Sequence, residues 1–143
     1  MARKTDLAEN KKRLRLFESI LRQEGFDPKL DKDGSIKFKF EHLTHKLVLE
    51  ENDPEYLKIV LSNFWKFDHP SEHLRALAGA LHATATTKVA KISVIDDKVE
   101  AYVESFLGSP EHFRPVITRM LNALKSATNR FCEFAETYNT PIW

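Results

Sequence analysis

Two histidines, His69 and His73, stand four residues apart, a spacing that places two imidazoles on one side of a helix. Such a pair could begin a zinc site, but a third ligand is not apparent near it. Pro70 also places His69 at the very start of the predicted helix. His42 and His45, near a predicted hairpin, offer no better site. We therefore expect polar histidines that face solvent, and no bound metal.

The other groups that could do chemistry are a single thiol and two pairs of acids. Cys132 is the one cysteine, so an intramolecular disulfide is impossible. A nucleophilic thiol needs a basic partner to lower its pKa, and the sequence places none. Asp96–Asp97 and Glu50–Glu51 could bind a hard cation, but they lie where solvated turns normally carry charge. The sequence thus predicts no catalytic residue, no cofactor and no enzyme.

Phe64, Trp65 and Phe67 form the cluster that we assign to protein binding. Aromatic side chains bury a large area at a small entropy cost, which is why they anchor interfaces. The alternative is that Trp65 packs under the second predicted helix, because aromatics also dominate cores. The tail Pro141–Trp143 poses the same question, and a terminus held on the domain or on a partner is as plausible as a free ligand motif.

The first predicted helix is the most basic element and could contact phosphates. Acidic Glu9, Glu18 and Glu24 are interspersed, so a solvated face with salt bridges is the simpler interpretation. The 22 Lys and Arg residues nearly balance 21 Asp and Glu residues, and a formal charge of +1 predicts no polyanion partner. The basic residues are Arg3, Lys4, Lys11, Lys12, Arg13, Arg15 and Arg22.

The length of 143 residues predicts one domain over residues 1–143, since no linker or internal repeat divides the chain. The amino-terminal stretch lacks the apolar core of a secretory signal. No apolar run approaches the roughly 20 residues that cross a bilayer. With one cysteine, these features lead us to expect a soluble, cytoplasmic protein.

Hydrophobic periodicity in the first half predicts a helix followed by three strands. The helix starts at Asp6 and ends at Gly25, which suits a left-handed C-terminal position. Ile36–Phe40 alternates apolar and polar residues, as a half-buried strand does. A second strand around Leu47–Leu49 and a third at Tyr56–Leu61 complete an antiparallel meander.

The pattern of the second half predicts a helix, two strands and a last helix. Asp68–Ser71 offers a helix start, after which Leu74, Leu77, Ala78, Leu81 and Ala85 recur at helical spacing. Val89–Ile95 and Val99–Phe106 form a strand pair, and Ser109–Pro110 caps a strongly periodic last helix. The fold class is therefore α+β, with element order α-β-β-β-α-β-β-α and helices packed on a five-stranded antiparallel sheet.

Small residues in the second predicted helix would let another backbone approach closely, so we predict that they form a dimer interface. They are Ala76, Gly79, Ala80 and Ala83.

Six short strings accompany this order of elements over about Leu16 to Ala135. They are Glu24-Gly25-Phe26, Ile36-Lys37-Phe38-Lys39-Phe40, Asn52-Asp53-Pro54-Glu55, Asn63-Phe64-Trp65, Val89-Ala90-Lys91 and Val103-Glu104-Ser105-Phe106. With that order they resemble the YbjN-type domain and the small bacterial chaperones of type III secretion. The resemblance implies an α+β fold, usually a homodimer, that holds another polypeptide and performs no chemistry.

Our leading hypothesis is a cytosolic, non-enzymatic homodimer that binds another protein, as a chaperone or adaptor does. The sheet edge and the aromatic positions around Trp65 would form the binding site. The alternative is a regulatory module that contacts nucleic acid or an anionic surface through its basic first helix.

Overall fold

The structure is a computed structural model and describes residues 4–138. Arg3 and the tail Pro141–Trp143 lie outside the described residues. The elements in chain order are α1 (Lys4–Gln23), β1 (Lys29–Leu30), β2 (Ile36–Phe40), β3 (Leu43–Glu50), β4 (Asp53–Lys66), α2 (Ser71–Thr86), β5 (Ala90–Ile95), β6 (Lys98–Phe106), a 3₁₀ helix (Pro110–Phe113) and α3 (Ile117–Thr137).

The six strands form one sheet in the order β1-β2-β3-β4-β6-β5. The pairs β1–β2, β2–β3, β3–β4 and β5–β6 are antiparallel. The α+β class is confirmed. The predicted five strands and the predicted order α-β-β-β-α-β-β-α are wrong, because β1 precedes β2 and a 3₁₀ helix precedes α3.

Strand β1 was missed because two residues are too few to display an alternating pattern. Its register comes from the turn that follows, in which the Asp31 amide donates to the Ser35 carbonyl oxygen at 2.8 Å. Gly34 takes φ +86°, a conformation that residues with a Cβ rarely adopt. The turn then pairs Leu30 with Ile36.

The chain forms two compact units. Unit 1 contains the described residues up to Val60 together with Glu104–Arg119, and unit 2 contains Leu61–Val103 together with the described residues from Met120 onward. The prediction of a single domain over residues 1–143 stays a prediction.

In unit 1, α1 buries Phe17, Ile20 and Leu21. The helix begins at Lys4, before the predicted Asp6, and ends at Gln23, and Gly25 just beyond it takes the predicted left-handed conformation with φ +97°. The Phe26 amide donates to the Leu21 carbonyl oxygen at 3.0 Å, and the Gly25 amide donates to the Arg22 carbonyl oxygen at 3.1 Å. These two bonds form a Schellman motif, which satisfies carbonyl groups at the helix end.

In unit 2, β4 continues to Lys66, beyond the predicted end at Leu61, and α2 begins at the predicted Ser71. The last helix starts later than predicted. Pro110–Phe113 is a 3₁₀ helix and α3 begins at Ile117. Residues 114–116 form a turn between the two, and Pro115 within it has no amide hydrogen with which to continue a helical hydrogen-bond ladder.

Candidate protein-binding surface

Two of the three predicted aromatic residues contact one ring of α3, and the third contacts Trp65. Phe64 and Trp65 are half-buried, and their ring centroids lie 5.3 Å and 5.2 Å from that of Phe131, both edge to face. Phe67 is buried, 5.8 Å from Trp65 and 5.5 Å from His73. The three predicted residues are therefore held together in unit 2, and parts of Phe64 and Trp65 stay accessible.

A backbone irregularity explains how Phe64 and Trp65 meet the same ring. Consecutive strand residues normally point to opposite faces of a sheet. Asn63, just before them in β4, has φ +56°, in the left-handed region that asparagine tolerates better than most residues. This conformation interrupts the regular pleat, so both aromatic side chains can contact Phe131.

The small residues of α2 are buried within their own chain. Ala76 and Ala83 are fully buried, and Ala80 and Gly79 are also buried. A Cβ built on Gly79 would lie 2.9 Å from Cδ2 of Phe131. We predicted a dimer interface at these residues, and that assignment stays a prediction; the Phe131 ring lies against Gly79, so α3 approaches this face of α2. Small residues do indicate close approach, but their pattern does not say which partner approaches.

The opposite face of α2 is exposed and apolar. Leu74, Leu77 and Leu81 are 52%, 43% and 73% exposed, and we call these three residues the outer face of α2. Ala85 is also exposed and Ala78 is half-buried. A helix that is apolar on two faces is typical of one that is covered on both sides. The small-residue face of α2 is buried, with Phe131 lying against Gly79. Among the described residues, the three leucines of the outer face remain exposed.

The sheet edge at β5 is partly closed by the chain itself. The Ile92 amide donates to Oγ1 of Thr84 in α2, at 3.0 Å. The Ala90 amide donates to the Lys88 carbonyl oxygen at 2.7 Å. Two amides near the start of β5 are therefore already used, so this part of the edge is a poor template for an added strand.

The histidine pair in unit 2 contacts residues of the same unit. Nδ1 of His69 lies 2.7 Å from Oγ of Ser71 and accepts from the Ser71 amide at 3.2 Å, so it caps the start of α2. His73 packs edge to face against Phe67. Among residues 4–138, no group of three His, Cys, Asp or Glu side chains is arranged to hold a metal.

The thiol of Cys132 lies in an environment that disfavours its charged form. The side chain is half-buried, and burial is the main cause that raises its pKa, followed by the negative charges of Glu136 and Glu133. A raised pKa leaves little thiolate at neutral pH, so Cys132 is a poor nucleophile.

His45 is buried in unit 1, although we predicted solvent-facing histidines. Its ring stacks on Phe38 at 5.8 Å and meets Phe40 edge to face at 5.9 Å. Nδ1 lies 2.9 Å from the carbonyl oxygen of Leu43, to which it donates in the tautomer with hydrogen on Nδ1. Burial lowers the pKa of His45. The alternation of β2 and β3 places this histidine on the core side of the hairpin.

The basic side chains that the structure describes in α1 divide into two groups. The first is engaged: Nη2 of Arg13 donates to the Glu50 carbonyl oxygen at 2.7 Å, and Arg22 pairs with Glu18 at 3.1 Å. The second group is Lys11, Lys12 and Arg15, which are exposed and form no ion pair with a described residue. The predicted salt-bridged face therefore holds for part of the helix.

Comparison with known proteins identifies the fold. No protein-family model and no curated protein matches this sequence. Among solved structures, YbjN from E. coli, a candidate transcription regulator, matches with a TM-score of 0.64 and 13% identity over 90% of this chain and 96% of that one. A chain of the HopA1–SchA chaperone–effector complex matches with a TM-score of 0.59 and 17% identity over 91% and 98% of the two chains.

The chain has the YbjN-type, secretion-chaperone-like fold. The fold expected from the six sequence strings is thereby confirmed. Identities this low transfer the fold alone, since unrelated functions share folds. Within residues 4–138, no helix combines the length and the apolar character that crossing a membrane requires.

Proposed function

We propose that this protein is a non-enzymatic, protein-binding module, chaperone- or adaptor-like, that works as a homodimer. The observation that carries the proposal is the outer face of α2, a row of exposed leucines on a helix whose other face is already buried. Structural neighbours that include a chaperone–effector complex support a polypeptide partner. The poor nucleophile Cys132 and the capping role of His69 agree with a function without catalysis.

The outer face of α2 is suited to pairing with a second copy. Leu74 and Leu81 are seven residues apart, and so are Ala78 and Ala85. A seven-residue repeat of this kind keeps one seam of a helix facing a partner helix. In an antiparallel pair, each leucine can pack against a small alanine of the other copy. We therefore place the dimer contact on the leucines; the predicted contact through Ala76, Gly79, Ala80 and Ala83 is the alternative.

Light scattering coupled to size exclusion tests the dimer. We expect a dimer for the wild type at micromolar concentration and a monomer for Leu77→Glu with Leu81→Glu, because two charges per chain would be buried in the seam. Leu43→Glu, at a residue 50% exposed in unit 1, is the matched control and should stay dimeric. A monomeric wild type would reject the dimer, and a dimeric double variant would reject this face.

The partner-binding site that we propose is the cluster Phe64, Trp65 and Phe67. Phe64 and Trp65 are held against Phe131, and Phe67 against Trp65, so little entropy is lost when a partner covers their accessible parts. An apolar segment of another protein fits this surface, since the cluster exposes aromatic area without a charge of its own.

Quantitative mass spectrometry of proteins retained by the tagged chain tests this site. We expect at least one partner to fall more than tenfold with Trp65→Ala, because an aromatic anchor often contributes 2 kcal/mol or more, roughly a factor of 30. Phe106→Ala, at an aromatic residue 73% exposed in unit 1, is the control. Lys66→Glu changes the rim of the cluster without removing its packing, and it guards against a Trp65 variant that simply unfolds. Equal retention by wild type, Trp65→Ala and Lys66→Glu would place the site elsewhere.

A further inference from the structure

Lys11, Lys12 and Arg15 lie together on the exposed face of α1. Arg13 points instead toward the Glu50 carbonyl oxygen, and Arg22 is neutralised by Glu18. The three remaining cations form no ion pair with a described residue. Unpaired cations on one face of a helix are available to an anionic ligand.

The spacing of these cations suits a row of phosphates. With a rise of about 1.5 Å per residue, Lys11 and Arg15 stand about 6 Å apart along the helix axis, one turn apart. Together with Ala8 and Leu16 they line a depression of about 400 Å³. The short side chain of Ala8 leaves room there for phosphate oxygens between the longer cationic side chains.

Two features argue against other anionic partners. Leu7 and Leu16 are exposed but stand nine residues apart, which puts them on opposite sides of the helix, so α1 has no continuous apolar face to enter a membrane. The one aromatic residue of α1, Phe17, is buried, so the exposed face has no ring on which an unpaired base could stack. Duplex DNA, with one charge per about 1.7 Å and no need for stacking, is the better match.

We propose that the exposed face of α1 binds the phosphate backbone of duplex DNA through Lys11, Lys12 and Arg15. Because the net charge of the chain is only +1, attraction at long range is weak and binding is a local, salt-sensitive contact without sequence preference. The surface lies on α1 and not on the outer face of α2, so this inference does not depend on the proposed dimer or on Trp65.

Fluorescence anisotropy with a labelled duplex of about 20 base pairs tests the proposal. With three phosphates neutralised, the slope of log K against log salt is about −2.7, so affinity falls about 40-fold between 50 and 200 mM salt. Lys12→Glu with Arg15→Glu removes two of the three contacts and should lower affinity at 50 mM salt at least tenfold. Lys88→Glu with Lys98→Glu, two exposed residues of unit 2, gives the same net charge and should change it less than threefold.

Each alternative outcome overturns the proposal. Absence of binding at 50 mM salt would reject the proposal. Equal losses of affinity in the two double variants would also reject it, because net charge alone would then explain the binding. Tighter binding to a single-stranded RNA of the same length would contradict the choice of duplex. Binding to vesicles that contain phosphatidylserine, without binding to DNA, would assign the face to membranes. Circular dichroism of each variant confirms that its fold is retained.

Discussion

At the scale of single residues, the titratable imidazole of His45 is buried. Its ring is 2% exposed, and it lies between two phenylalanines with one hydrogen bond to a backbone carbonyl oxygen. A charged imidazolium would be poorly solvated there, which is why burial lowers the pKa. The folded protein therefore holds His45 neutral over a range of pH in which the unfolded chain binds a proton.

This difference predicts an acid-sensitive stability. Below the unfolded pKa of about 6.5, the unfolded state binds more protons than the folded state, so the free energy of unfolding falls as pH falls. One linked proton contributes at most about 1.4 kcal/mol per pH unit. We expect His45→Phe, which keeps an aromatic ring beside Phe38 and Phe40, to reduce the loss of stability between pH 7.5 and 5.5. Urea denaturation at both pH values measures it.

The control for this prediction is His42→Gln, because His42 is exposed in the adjoining turn. That variant should lose stability with acid as the wild type does. An unchanged pH dependence in His45→Phe would mean that other groups cause the acid sensitivity.

At the scale of elements, helices and strands could be predicted where a pattern of neighbouring residues defines them. The alternation of Ile36, Phe38 and Phe40 identified β2, and Gly25 marked the end of α1, because each depends on residues within a few positions. Elements that depend on distant partners or on very short segments were missed. Strand β1 is defined by its pairing with β2, and α3 begins at Ile117, after the 3₁₀ helix and the turn that contains Pro115.

Helix α2 illustrates why the surface was harder to predict than the helix. The sequence predicted its start at Ser71 and recognised both the row of leucines and the row of small residues. It could not tell which row the chain itself would cover, because Phe131 lies 52 residues beyond Gly79 in sequence. Only the fold shows that a ring fills the space over the glycine and that the leucines remain exposed.

Two hairpin turns that lack glycine contain residues with positive φ. Glu41 and His42 have φ +49° and +70°, and Asp96 has φ +56°. Register fixes these turns: Phe40 pairs with Leu43, and Ile95 pairs with Lys98, which leaves two residues for each hairpin loop. Two-residue loops favour positive φ because their twist then matches the strands. Strand pairing therefore imposes a positive φ on residues other than glycine. The strands could be predicted from their alternating pattern although the turns lack glycine.

At the scale of the whole molecule, fold and function were predictable to different degrees. The order of elements and six short strings led to the fold that solved structures confirm. The candidate sites are combinations of exposed side chains, and exposure is a property of the folded chain. Phe64 and Trp65 could be named from sequence, but their shared contact with Phe131 depends on the left-handed Asn63 and on α3.

A dimer that covers the outer face of α2 should also couple stability to concentration. If folded chains pair and unfolded chains do not, raising the protein concentration shifts the equilibrium toward the folded dimer. For a chain of this size, a hundredfold increase should raise Tm by about 3–5 °C. We expect this shift for the wild type between about 2 and 200 µM by differential scanning fluorimetry, and its loss in Leu77→Glu with Leu81→Glu. The Leu43→Glu control should keep the shift, because its leucine lies outside the proposed seam. A wild-type Tm that is independent of concentration would contradict the coupling between pairing and stability, because a dimer that forms only from folded chains must raise Tm with concentration.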